Sequence, residues 1–305
     1  MLNKEIIIKR LALIKQLYKI GVEQSKQVES IASFSLLSFH DSIEMFFLLI
    51  AEKENIKTDG LSFMDYWNKF PNLTLRESIR ALKDRRVNIK HKGLLPSKSD
   101  IEISRINAND FFKQNTPIFF DIDFDEIALY TLIEDKNLRK YLEEAQKALD
   151  DKKYQIVIEK TSVAFNELLF IYEENKTNDY ESPFHLGKDM RFSSSFTEEI
   201  RDKPKLVDFV KRTSDSLNKI QKRLKIISFG IDYKKYIKFD LLTPVVSKTL
   251  GGEYVLEMFG KKIWSKENCQ YCIDFVTDCC LKLQEFNFDI QEIEEELGLD
   301  LWIEE

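Results

Sequence analysis

The chain has 305 residues, which is enough for one large domain or two medium ones. It has 9 glycines, 6 prolines and 43% apolar residues, so collagen-like, low-complexity and turn-rich all-β architectures are excluded. A formal net charge of −6 excludes a chain that binds polyanions over its whole surface, so any contact with RNA must depend on a local basic patch.

Apolar residues at helical spacing predict two helices at the start of the chain, over residues 4–22 and 28–54. The second is apolar on nearly all sides in its middle, so we expect burial on several sides or against a second copy of the chain. Its polar exceptions are His40, Asp41 and Glu44. His40 and Glu44 lie one helical turn apart. The three residues are expected to form a structural polar cluster or to support a nearby site.

A short helix is predicted over residues 61–70 and a longer one over 73–91. The longer helix has a core stripe at helical spacing, formed by Leu75, Ile79, Leu82 and Ile89.

The position that would complete this stripe holds Arg86. An arginine in a core row is costly unless it is paired or faces a cleft. His91, one of three histidines in the chain, follows five residues later. Gly93 and Pro96 then end the helix.

Arg86 and His91, late in a predicted helix, resemble the signature of the HEPN superfamily, in which an arginine precedes a histidine by four to six intervening residues. Arg86 fits with four such residues and Arg85 with five. The resemblance covers roughly residues 1–115. It implies an α-helical bundle, a homodimer with both motifs facing one cleft, and metal-independent endoribonuclease activity without a cofactor.

The resemblance also implies roles for individual residues. A polar residue commonly follows the arginine in the family, whereas Val87 does so here and Asn88 comes one place later. The expected catalytic residues are Arg86, His91 and Asn88. The expected RNA-binding residues are Arg85, Lys90, Lys92 and Lys83. His40, Asp41 and Glu44 are expected to support them, and no metal site is expected.

Cleavage of RNA without a metal suits these residue types, because the 2′-hydroxyl must lose a proton while charge develops on the phosphate. Histidine exchanges protons near neutral pH, and arginine grips phosphate oxygens in a fork. Five helical residues, however, turn the chain by about 140° beyond one revolution, so Arg86 and His91 do not share a face. Three arrangements could still bring an arginine and a histidine to one phosphate. The helix could widen or end early near His91, a second chain could contribute one of the residues, or Arg85 could be the catalytic arginine.

The remainder of the chain is predicted to be a second, mainly helical domain. Residues 93–117, bounded by Pro96 and Pro117, are interpreted as a linker with a helix over 100–114, so the predicted domains are 1–118 and 119–305. Further helices are predicted over 125–134, 137–150, 153–175, 204–228 and 265–286. Residues 176–203, with His185, are polar and loop-like, and the tail from residue 289 is acidic. A single β-hairpin is predicted near 243–260, around Gly251 and Gly252.

The four cysteines lie within one helical pattern, at Cys269, Cys272, Cys279 and Cys280. A structural zinc site usually takes a second ligand pair from a separate element, so these residues are interpreted as small apolar residues of a packed helix. Four unevenly spaced cysteines and a start without a signal-peptide pattern favour a reduced, cytoplasmic setting. No apolar run approaches the length of a membrane span.

These observations lead us to expect an all-α, HEPN-like endoribonuclease that acts on RNA as a homodimer. A toxin–antitoxin or phage-defence system, with an antitoxin or defence partner protein, is the setting that the resemblance implies. The alternative is a non-catalytic helical dimer that binds nucleotide, RNA or a protein partner, which Val87 and the net negative charge favour. A third possibility is a scaffold whose second half recruits another enzyme.

Overall fold

The computed structural model divides the chain into two compact units, Met1–Leu132 and Ile133–Glu305. It describes residues 2–174, 176, 200, 202–249, 251–258, 263–285 and 290–296. Both units are mainly helical, and a single two-stranded hairpin is present in the described part of the second, which confirms the predicted fold class.

The division lies 14 residues after the predicted boundary at 118, because residues 119–132 pack on the first unit. The Phe124 ring stacks on the Phe112 ring with centroids 4.8 Å apart. Phe120 meets Phe46 edge-on.

The first unit is a bundle of helices followed by two 3-10 turns. The helices are α1 (Lys4–Ser25), α2 (Glu29–Ala32), α3 (Ser35–Lys53), α4 (Tyr66–Lys69), α5 (Arg76–Lys92) and α6 (Lys98–Phe120), and the turns are Phe124–Glu126 and Leu129–Leu132. The helix predicted over 125–134 is therefore wrong, because only short 3-10 turns form there.

The helix predicted over 28–54 is interrupted at Ser33 and Phe34. The hydroxyl of Ser33 donates to the Glu29 carbonyl, and that of Ser35 donates to the Ala32 carbonyl. Serine hydroxyls that bond back to the preceding turn compete with helical hydrogen bonding and bend the chain. The segment therefore forms two helices, α2 and α3, instead of one.

The helix predicted over 100–114 is present within the longer α6, whereas the interpretation of residues 93–117 as a linker is wrong. Ser97 caps this helix: its hydroxyl accepts from the Asp100 N–H, and the Asp100 carboxylate accepts from Ser97. Phe111 and Phe112 are fully buried in the core of the first unit. Pro117 lies inside the last turn, where its missing N–H removes one hydrogen bond without ending the helix.

Aromatic rings fill the core between α3 and α6, where Phe46 packs edge-on against Phe111 and Phe112. Helix α1 reaches this core through Gly21, at which an added Cβ would lie 2.7 Å from a carbon of the buried Phe39 ring. Gly21 is therefore needed for close packing of α1 on α3.

Gly21→Ala is expected to destabilise the first unit. The clash with Phe39 costs about 1–3 kcal/mol, which exceeds the gain of about 1 kcal/mol from alanine in a helix. Denaturant unfolding would measure the change in the free energy of unfolding, with Lys9→Ala on the exposed side of α1 as the control. A Gly21→Ala protein more stable than its parent would contradict this packing.

The entry to α5 is held by residues distant in the sequence. Leu75, just before the helix, has a left-handed backbone (φ 59°) and supplies no side-chain cap. The buried amide of Asn115 on α6 accepts from the Thr74 N–H (3.0 Å) and donates to the Thr74 hydroxyl (3.0 Å). The Trp67 indole donates to the Thr74 carbonyl (3.0 Å). Helix α5 is thus positioned from α6 and α4.

The second unit contains α7 (Lys136–Asp150), α8 (Tyr154–Glu174), α9 (Pro204–Ser228), α10 (Tyr233–Leu242), α11 (Lys266–Glu285) and α12 (Ile290–Glu296). The hairpin is β1 (Val245–Lys248) and β2 (Tyr254–Glu257), antiparallel with Val246 opposite Leu256. The prediction missed α10, and the predicted loop around His185 lies outside the described residues.

The interpretation of the cysteines as packed residues is confirmed. All four are buried and unbridged on α11. Burial raises the pKa of Cys269 to about 11 and that of Cys272 to about 12. The thiolate, which is the form that binds zinc or reacts, is therefore disfavoured at neutral pH.

Residues Glu29–Lys53 are long and apolar enough to meet the composition test for a membrane span, with a mean hydropathy of 1.5. In the first unit this segment forms α2 and α3, and 61% of the tested window is buried. Core helices of water-soluble proteins meet the same test, so the segment is weak support for a membrane span.

Candidate functional site

The core stripe of α5 is present as predicted. Ile79 and Leu82 are fully buried, and Ile89 packs against Ala32 and Leu36. Arg86 lies between them in the stripe and is half-buried. The sequence therefore located a charged residue in a core row.

Arg86 has no hydrogen bond or ion pair among the described residues, and its Nε is buried without a partner. A buried N–H without an acceptor loses its hydration, so each such group needs an explanation. Helix α5 packs on α3, and the Arg86 charge opposes the protonation of His40 on that helix. The fold therefore brings an unpaired guanidinium to the polar cluster of α3.

The polar cluster of α3 consists of His40, Asp41 and Glu44. The His40 Nδ1 atom lies 3.2 Å from an Asp41 oxygen and 3.8 Å from a Glu44 oxygen. His40 is 4% exposed, whereas both carboxylates are about half exposed. Its ring stacks on Phe63, with centroids 4.1 Å apart and planes inclined by 19°. The imidazole is thus fixed, and the carboxylates lie at the surface.

His40 is held neutral at physiological pH. Burial is the main cause that lowers the pKa of His40, the hydrogen bond with Asp41 opposes this effect, and the Arg86 charge lowers the pKa further. Since a carboxylate only accepts hydrogen bonds, the proton of the neutral ring lies on Nδ1. The Nε2 atom then keeps a lone pair that can accept a proton.

His91 and Asn88 lie away from Arg86. Helix α5 is regular through Lys92 and ends at Gly93, which has a left-handed backbone (φ 65°). A helix that widens or ends early near His91 is therefore excluded, and about 140° separates Arg86 from His91 around the axis. His91 is exposed and Asn88 half-buried, and neither side chain has a hydrogen-bond partner in the described part of the chain.

Arg85 is bound within the fold. Its Nε donates to Asp100 at the start of α6 (2.9 Å), and its side chain is 23% exposed. The hydrogen bonds from Ser97 and Arg85 lower the pKa of Asp100. This carboxylate therefore contributes stability that is complete above about pH 4, its unfolded pKa, and is lost as the pH falls through the lowered value.

The pairing of Arg85 with Asp100 is expected to stabilise the contact of α5 with α6 by about 1 kcal/mol. Arg85→Gln and Asp100→Asn should each lower the free energy of unfolding. The double variant should lose less than the sum of the two. Urea unfolding of the four proteins measures this coupling, and additive losses would show that the two side chains act independently.

The remaining basic residues of α5 have mixed surroundings. Lys83 is half-buried and pairs with Asp84 (3.2 Å), whereas Lys90 and Lys92 are exposed. Arg80 pairs with Glu77 at 3.3 Å. Apart from Arg86, the positive charges of this helix that have no ion pair in the described structure include Lys90 and Lys92 at its C-terminal end, beside His91.

Phe63 is a member of the site that sequence reasoning missed. It covers the His40 ring and also packs edge-on against Phe47. It precedes the short helix α4, where no repeat of apolar residues marks its direction. The run Leu61-Ser62-Phe63-Met64 offered only a general signal of burial.

A separate cleft of about 570 Å³ lies in the second unit, between α8, α9 and the hairpin. Two of its lysines are paired within the protein: Lys225 pairs with Glu173, and Lys248 pairs with Glu167 and lies 4.0 Å from the centre of the Phe170 ring. These contacts are those expected of a packed polar interface between elements.

Comparisons of the chain with protein-family profiles, with curated proteins and with solved structures found no match.

Proposed function

We propose that this protein is a metal-independent endoribonuclease in which Arg86 binds the scissile phosphate. The observation that carries the proposal is the half-buried Arg86 guanidinium, which has no ion-pair partner among the described residues and whose charge acts on the buried His40 imidazole. A phosphate would supply the acceptors that Arg86 lacks. The resemblance of Arg86 and His91 to the HEPN signature points to the same chemistry.

In the proposed reaction the 2′-hydroxyl oxygen attacks the adjacent phosphorus, and a bond forms between them as the bond from phosphorus to the 5′-oxygen breaks. The 2′-hydroxyl proton passes to Nε2 of His40, and the leaving 5′-oxygen takes a proton from a second donor. Arg86 stabilises the charge that develops on the phosphate. The products are a 2′,3′-cyclic phosphate and a 5′-hydroxyl.

His91 is proposed to be the second donor, supplied by another copy of the chain. Within one protomer it lies on the opposite side of α5 from Arg86, so it can reach the phosphate only from a partner. Its exposure and the adjacent free Lys90 and Lys92 suit a surface that meets RNA. Asn88 lies on the same side of α5 as His91 and would accompany it.

Incubation of the purified protein with RNA in excess EDTA tests the proposal. Cleavage that leaves cyclic phosphate ends supports it, and failure to cleave any RNA contradicts it. RNA binding without cleavage would instead support the non-catalytic dimer, which the separation of Arg86 from His91 within one protomer favours. An antitoxin or phage-defence partner and a cytoplasmic location are proposed from the family resemblance alone.

A further inference from the structure

The carboxylates around His40 form an arrangement that metal-free catalysis does not require. One ligand atom each from His40, Asp41 and Glu44 lie within 4.8 Å of one another. Zinc binds imidazole nitrogen and carboxylate oxygen at about 2.0–2.2 Å, so its ligand atoms lie about 3–3.5 Å apart. The separations of 3.2 and 3.8 Å from His40 Nδ1 are close to this range.

The His40 ring is a prepared ligand. It is 96% buried, it is fixed by stacking on Phe63, and its hydrogen-bond and ion-pair partners in the described structure are the two carboxylates alone. Asp41 and Glu44 are about half exposed, so they can adjust to an ion that arrives from solvent. The Arg86 charge opposes a cation, but two carboxylates outweigh one guanidinium.

We propose that His40, Asp41 and Glu44 bind a zinc ion that inhibits the enzyme. An imidazole donor combined with carboxylates favours a transition-metal dication over magnesium or calcium. Zinc would bind Nδ1, and the single proton of the neutral ring would move from Nδ1 to Nε2. The ring then has no lone pair with which to accept the proton of the 2′-hydroxyl.

Binding of zinc is independent of the proposed ribonuclease activity, whereas the inhibition rests on it. Calorimetric titration of the full chain with zinc alone should show one saturable site that Asp41→Asn and Glu44→Gln weaken. Loss of groups that merely support a metal ligand costs about 10–100-fold in affinity, so loss of a ligand should raise Kd by at least tenfold. Asp59→Asn, an exposed acid without an ion pair in the first unit, is the control.

The exposed carboxylates make Asp41→Asn and Glu44→Gln better tests than substitution of the buried His40. Equal affinity in the parent and both variants, or absence of a saturable site in the parent, would overturn the zinc site. The differences between parent and variants exclude the buried cysteines as the source of the signal.

The activity measurement uses the parent in EDTA and in buffered zinc. At a free zinc concentration ten times Kd, cleavage should fall by about tenfold, and EDTA should restore it. Zinc binding without slower cleavage would overturn the inhibition. A parent that binds zinc but never cleaves RNA would refute the ribonuclease while leaving the metal site established.

Discussion

Arg86→Ala is expected to lower the rate of RNA cleavage by about 10²–10³-fold, as the loss of one preorganised donor to a developing oxyanion does. The guanidinium is half-buried in the core stripe of α5 and unpaired among the described residues, so no neighbour takes over its role. Arg86→Lys should recover only part of the rate, because an ammonium group keeps the charge but lacks the planar fork.

Initial rates on a single-stranded RNA in EDTA measure this effect. Arg105→Ala is the matched control, since Arg105 belongs to the same unit and pairs with Glu102 on α6. Thermal unfolding of each variant would show that the fold is retained. Cleavage at the parental rate by a folded Arg86→Ala protein would remove Arg86 from the mechanism.

RNA cleavage is expected to require both histidines, with His40 supplied by one protomer and His91 by the other. His40→Gln and His91→Ala should each lower cleavage by about 10²–10⁴-fold, the usual range for a lost general base or acid. Arg86 and His40 belong to one protomer and His91 to the other, so mixtures of inactive variants should differ in a defined way.

A mixture of Arg86→Ala and His91→Ala proteins should regain up to about a quarter of the parental activity, because half of the exchanged dimers contain one intact site of two. A mixture of Arg86→Ala and His40→Gln proteins should regain no activity. Arg86 and His40 come from the same protomer, so every site in the mixture lacks one of the two side chains. Recovery in both mixtures, or in neither, would contradict a site shared in this way. An active His91→Ala protein would confine the chemistry to one protomer.

The sequence predicted features that depend on local periodicity. The apolar stripe of α5, the position of Arg86 within it and the hairpin at Gly251 and Gly252 all follow from residues close in the chain. The break at Ser33 and the continuation of α6 through Pro117 were missed, because competing hydrogen bonds and tertiary packing override the apolar pattern there.

Which side chains form the site depends on the packing of helices that are distant in the sequence, and local sequence patterns do not predict this packing. Arg86 and His91 are only five positions apart in the chain, but the regular helix places them on different sides of α5. The Arg86 charge instead acts on His40, 46 positions earlier, because α5 packs on α3. The role of Phe63 likewise depends on the path of the chain between α3 and α4.

The amide of Asn115 that holds Thr74 has a consequence for the order of folding. Helix α5 begins with a left-handed residue and no local cap, so Asn115 can hold the residue that leads into it only after α6 has docked. The two segments lie 41 positions apart, and closing such a loop delays their contact relative to the formation of isolated helices. A nascent or partly unfolded chain would therefore hold α3 without a positioned Arg86, so the proposed cleavage activity would belong only to completed molecules.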